Sequence, residues 1–133
     1  MSFNSFLVAI TVAATALGVV AACGSGPAPV LDPPKLSSIA SVPVPNSAVL
    51  DPSLGSAGAE GYRVPGVTFE QLAAWYERQM PEGRAFGSWK WCGKFENDNY
   101  YARNYAQGTA FLNVAIAPEP VGVLIATDSS GPC

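Results

Sequence analysis

The 133-residue chain contains no histidine. That removes the commonest general base and the commonest metal ligand. It excludes Ser-His-Asp and Cys-His catalysis and every zinc site that needs an imidazole. Charge is scarce as well. Charged residues make up 13% of the chain, with 7 Lys and Arg against 10 Asp and Glu, for a net charge of -3. With no basic cluster, nucleic acid is excluded as a partner. No phosphate-cradling loop is present either: "GSGPAP" at Gly24–Pro29 precedes no helical pattern and reads as spacer. Carboxylates are few, and a glycosidase needs two of them about 5 to 9.5 Å apart across a cleft. Glu96 and Asp98 flank a turn and read as solvating it, and the oxygen-ligand spacing of a calcium loop is missing. The sequence therefore points to a protein without catalysis, metal or cofactor. A small carboxylate-based hydrolase is the alternative of that class.

No charged side chain occurs before Asp32. Residues 5–22, "SFLVAITVAATALGVVAA", are nearly all apolar or small. A membrane span needs about 20 predominantly apolar residues. This run is slightly short, rich in alanine, and ends in small residues before Cys23, as a cleavage site does. Val20, Ala21, Ala22 and Cys23 resemble a bacterial lipobox: an aliphatic residue, two small residues, then cysteine. The resemblance implies that Cys23 accepts a diacylglycerol on its thiol, that residues 1–22 are removed as a signal peptide, and that palmitate-type chains anchor the protein on the extracytoplasmic side of the cell membrane. Acyl chains hold a protein to a bilayer at about 0.8 kcal/mol per buried CH₂. The segment before the apolar run, "MSFN", departs from the pattern in having no Lys or Arg. The other reading of the same run is an uncleaved anchor with Cys23 as a bystander.

With Cys23 acylated, Cys92 and Cys133 remain, outside the cytoplasm. An even remainder in an oxidising compartment reads as one disulfide. The closed loop of about 40 residues would contribute roughly 4 kcal/mol on the chain-entropy account. Two free thiols are the alternative.

Residues 23–41 read as a Pro/Gly/Ser tether, with "KLSSIA" able to lie along the domain surface. Residues 42–133 read as one small domain. Val44–Leu50 and "GYRVPG" suggest short strands. "VTFEQLAAWYERQMP" is a helix. Thr68 is its N-cap, Gln71 completes a capping box, and Val67 with Leu72 forms a hydrophobic staple. Phe69, Leu72, Ala73, Tyr76 and Met80 share one face, Trp75 sits at the stripe's edge, and Pro81 ends the helix. "SWKWCGKF" alternates, with Trp89, Trp91 and Phe95 on one face, and "YYARNY", "TAFLNVAIA" and "VLIAT" follow as strands. The expected fold is α+β: a two-layer sandwich of one main helix on an antiparallel meander of about four to five strands.

"PVPNSAV", a loop, then "TFEQLAAWYERQMP" feeding a C-terminal meander resemble small lipoproteins of actinobacteria, over most of residues 43 to 127. The resemblance implies an envelope protein and no particular activity. Binding is then the expected role, of an envelope protein or of a glycan, wall or lipid component. A structural accessory subunit of a transport or secretion assembly is the rival. Tryptophan and tyrosine dominate contact surfaces. If the helix covers Trp89 and Trp91, these are core, and the candidate surface moves to Trp75 and to Tyr100 or Tyr101.

Overall fold

A computed structural model describes residues 29–129 and Cys133. The signal-peptide reading, the lipobox and Cys23 lie outside the described residues. The described chain is mostly antiparallel sheet with one helix, an α+β fold. A two-residue hairpin pairs β1 (Lys35–Leu36) with β2 (Pro43–Val44). Then come β3 (Val49–Leu50), a 3₁₀ turn (Pro52–Leu54), β4 (Ala59–Arg63), α1 (Phe69–Gln79), β5 (Lys90–Glu96), β6 (Tyr101–Gln107), β7 (Ala110–Pro118) and β8 (Val121–Asp128). The main sheet has six strands in the order β3-β4-β8-β7-β6-β5. That exceeds the expected four to five because β8, the end of the meander, pairs with β4, placing Tyr62 opposite Val123. The early strands extend the sheet at its edge.

The helix forms where its local signals sit. Thr68 Oγ1 accepts the Gln71 N–H and Gln71 Oε1 accepts the Thr68 N–H, so two otherwise unpaired donors are satisfied at the first turn. Glu70 lies in that turn and Arg78 in the last, both favourable to the helix dipole. At the far end the Arg103 guanidinium, 1% exposed, donates from Nε to the Met80 carbonyl at 2.8 Å. A residue from β6 thus closes the helix terminus.

Register divides the side chains. Tyr101, Arg103 and Tyr105 on β6 share a face with Leu112, Val114 and Ile116 on β7 and with Val123 and Ile125 on β8. All of these are buried, and all but Arg103 form one hydrophobic cluster with Leu72, Trp75 and Tyr76 of α1. The alternate positions carry small residues: Ala102 on β6, Ala115 and Ala117 on β7, Gly122 and Ala126 on β8. Leu124 stands exposed among them.

The segment assigned to a tether is packed. Val42 and Val44 are fully buried beside Trp75 and Tyr76, and Leu31 and Ile39 pack on the same cluster. Tyr76 donates its hydroxyl to the Pro43 carbonyl at 2.8 Å, and Ser38 bonds to the Glu60 carboxylate. Backbone bonds join Ser47 N–H to Val30 and Asn46 N–H to Leu31. Residues 30–41 therefore pack with the domain, which was expected to start at 42. Prolines here fix an extended path that feeds apolar side chains into the core, so composition that reads as loose spacer serves as a strap over α1.

Candidate functional site

Of the three side chains expected at a contact surface, only Tyr100 is exposed. Trp75 is fully buried, a correction to its placement at the stripe's edge. The strap closes that edge: indole Nε1 donates to Asp32 Oδ1 at 3.1 Å, and the ring meets Tyr76 edge-on at 4.9 Å. Tyr101 is also buried, a second correction. It points to the helix side, donates its hydroxyl to the Glu82 carboxylate, and lies 4.8 Å beneath the Arg103 guanidinium carbon. Of the adjacent pair Tyr100 and Tyr101, one is in and one is out, as opposite faces require.

Trp89 and Trp91 pack against the core, and Trp91 meets Tyr105 edge-on at 5.5 Å. Phe95 does not follow them. Trp91 opposes Tyr105 but Gly93 opposes Asn104, so an extra residue is inserted at Cys92. One inserted residue reverses every side chain beyond it. Phe95 emerges on the face opposite Trp91, exposed, with its ring 5.5 Å from Tyr100. Cys92, at the bulge, has its sulfur beside that of Cys133, with the Cα atoms 5.6 Å apart, inside the disulfide range.

Two surface regions gather side chains capable of function. The first is polar. Arg103 Nη2 donates to Glu77 Oε2 at 2.5 Å, and Glu82 receives Tyr101 and faces Lys94 at 3.4 Å. Phe69 and Ala73 complete its lining. The Tyr101 hydroxyl, then Lys94, hold the Glu82 carboxyl below the usual range, and at Asp51 bonds from Ser53 and Arg63 do the same. These groups contribute stability above their unfolded values, and that contribution is lost as pH falls through the lowered folded ones. The phenols of Tyr62 and Tyr105 are pushed up to about 12, chiefly by burial. Their contribution is complete below their unfolded value and is lost as pH rises toward 12. The melting temperature should therefore fall at both extremes, below about pH 4 and above about pH 10. In a pH series, Glu82→Gln should flatten the acid limb and also soften the alkaline limb, because the Glu82 carboxylate helps hold the Tyr101 and Tyr105 phenols up. An unaltered acid limb would remove Glu82 from that role.

The second region is an apolar groove of about 250 Å³ on the small-residue face, beside the β7–β8 turn. Leu54, Ala117, Pro120, Gly122 and Leu124 line it, with Arg63 at its margin. The groove exists because its floor is cut back. A Cβ on Gly122 would collide with the Tyr62 carbonyl oxygen, and one on Gly61 would collide with Leu54 Cβ. Leu54 thereby rests on bare backbone and forms a wall. None of these residues was expected from the sequence, although one signal was there. Along "FLNVAIAP" the alternate residues Asn113, Ala115 and Ala117 are small or polar, the mark of a face that a second layer does not fill.

Among the described residues no group of three potential metal ligands assembles, and no helix is long and apolar enough to cross a membrane. No protein-family model matches this chain, and no curated protein or solved structure is significantly similar to it.

Proposed function

We propose that this chain is an envelope lipoprotein, anchored through Cys23 on the extracytoplasmic side of the cell membrane, whose domain binds without catalysis. Its ligand is the apolar part of a wall or lipid component. The observation that carries this reading is the groove of Leu54, Ala117, Pro120, Gly122 and Leu124 on the sheet face away from α1. A two-layer arrangement, with α1 and the strap over one face and the other face open, belongs to the same reading. Ligand sites combine an apolar lining with a few polar groups that fix orientation. Here Arg63, held at 2.5 Å by Asp51, stands at the margin in that position.

The test uses the full chain in membranes and a photoreactive fatty acid. Crosslinks should map to the peptide around residues 117–124. Ala117→Trp fills the groove from the open face and should remove them several-fold, with stability changed by no more than about 0.5 kcal/mol, as at other surface positions. Crosslinks that persist in that variant would refute the groove. Cys23→Ala should abolish fatty-acid labelling of the N-terminal peptide and leave a larger, unprocessed species.

A second reading is favoured by one other observation. Phe95 and Tyr100 form an exposed aromatic pair at the opposite edge of the sheet. Such pairs are typical anchors of protein contacts, which supports the accessory-subunit role. Loss of a co-purifying envelope protein in Phe95→Ala with intact groove crosslinks would favour it.

A further inference from the structure

The two edges of the main sheet are unlike. β5 carries Lys90, Lys94 and Glu96 along its length. β3 carries Val49 and Leu50, 58% and 52% exposed, with no charge between them. Edge strands in water are normally guarded by charge. The apolar character continues around β3. A second groove of about 390 Å³ is lined by Val49, Leu50, Pro52, Pro65 and Pro120 with Asp51 and Arg63, and Leu54, also exposed, lines the first groove, which shares Pro120 and Arg63 with it. The charges at this rim are engaged: Arg63 Nε and Asp51 Oδ2 pair at 2.5 Å, the Lys35 ammonium donates to the Ala48 carbonyl beside Val49, and Glu119 on the β7–β8 turn lines the adjoining first groove.

The path of the chain says what this rim faces. Val30, exposed like the rim, bonds to Ser47 two residues before β3, so the polypeptide leaves for the membrane anchor from this edge. Val30 is bonded into the domain, so few residues link the domain back to Cys23. Seven residues span at most about 25 Å even when fully extended. A domain of this size has a radius of gyration of about 13 Å, so the link is no longer than the domain is wide. The link starts at the β3 edge, and the β5 edge lies five strand spacings or about 24 Å away, so only a link stretched to its full length would let the two edges exchange places, and the β3 edge is favoured toward the bilayer.

We infer that the β3 edge, with Val30, Val49, Leu50, Leu54 and Pro120, is the seat of the domain on the lipid bilayer. The seat rests on the membrane anchoring proposed above, and it follows equally whether Cys23 is acylated or the apolar run stays as an anchor. The side chains enter the headgroup boundary while the paired Arg63 and Asp51 remain in the polar layer. The adjoining groove then opens beside the membrane surface.

The test uses the full chain in vesicles of zwitterionic phosphatidylcholine, with an environment-sensitive fluorescent amino acid placed at residue 50 or at residue 98. Site 50 should be quenched by brominated lipid and shielded from aqueous iodide, and site 98 should show the reverse. A long Gly-Ser insertion after Gly26 should leave this pattern in place, because the rim itself makes the contact. Val49→Asp with Leu54→Asp in that lengthened chain should abolish lipid quenching at site 50 with the melting temperature unchanged. Fatty-acid labelling of Cys23 and sedimentation with membranes are followed in the same samples. Membrane-bound chains in which sites 50 and 98 behave alike overturn the seat and leave the anchor standing. So does a pattern lost on lengthening the link. Shielding of site 50 from iodide without lipid quenching, as a second copy or a protein partner would give, also overturns it. A chain that neither labels nor sediments overturns anchor and seat together.

Discussion

Replacing Trp75 with alanine should lower the stability of the domain by about 3–5 kcal/mol, the range for removing a fully buried large aromatic. A domain of this size has roughly 5–15 kcal/mol in total, so the variant would sit near the edge of folding. The effect exceeds a simple cavity. The indole holds Asp32 and shares an edge with Tyr76, whose hydroxyl holds Pro43, so the strap loses its grip at two points. Denaturant unfolding measures the loss. Proteolysis should then cut the strap between Leu31 and Val42 before any other segment. Trp75→Phe keeps most of the packing and gives up the Asp32 bond, so it should fall between the variant and the native chain. An unchanged unfolding midpoint in Trp75→Ala would return this residue to the surface.

The second large effect is expected at the cysteines. We expect Cys92 and Cys133 to be joined in the native protein, and Cys92→Ser with Cys133→Ser to lower stability by about 2–4 kcal/mol. The bridge spans 41 positions and ties an edge strand, β5, to the chain end beyond β8, three strands away. Much of the effect would arise in the unfolded chain, which loses a long-range constraint. Peptide mapping without reductant should recover the two segments as one species. Free-thiol adducts at both positions in native protein would contradict the pairing.

The legible parts of this fold are those whose causes are local. The capping box of Thr68 and Gln71, the staple position of Val67 and the stop at Pro81 lie within one stretch of chain, and α1 follows them closely. The strands β6, β7 and β8 are likewise written in alternation and short turns. What escaped the sequence depends on partners far along the chain. Trp75 reads as marginal on its helix because the residue that closes over it, Asp32, is 43 positions away in a proline-rich segment. The union of β4 with β8 joins segments about sixty residues apart, and no local pattern encodes it. Phe95 was misplaced for a different reason. Period-two alternation assumes an uninterrupted ladder, and the insertion at Cys92 is visible only as a glycine following a cysteine. The groove was hidden because its character comes from side chains that are missing, at Gly61 and Gly122.

The bulge has a consequence for the molecule in company. Anchored as proposed above, neighbouring domains would share a plane and meet edge to edge at high local density. A strand arriving alongside β5 would need an even ladder of donors and acceptors. At Gly93, with φ of 141°, the ladder breaks. Lys90 and Lys94 stand on either side of the break, so two such edges brought together also repel. On the other flank β3 offers only two residues before Asp51 and Pro52 end it, too short a template to extend. Neither border of the sheet offers an even ladder to a neighbouring strand, so these domains at high local concentration stay separate molecules and do not knit into ribbons.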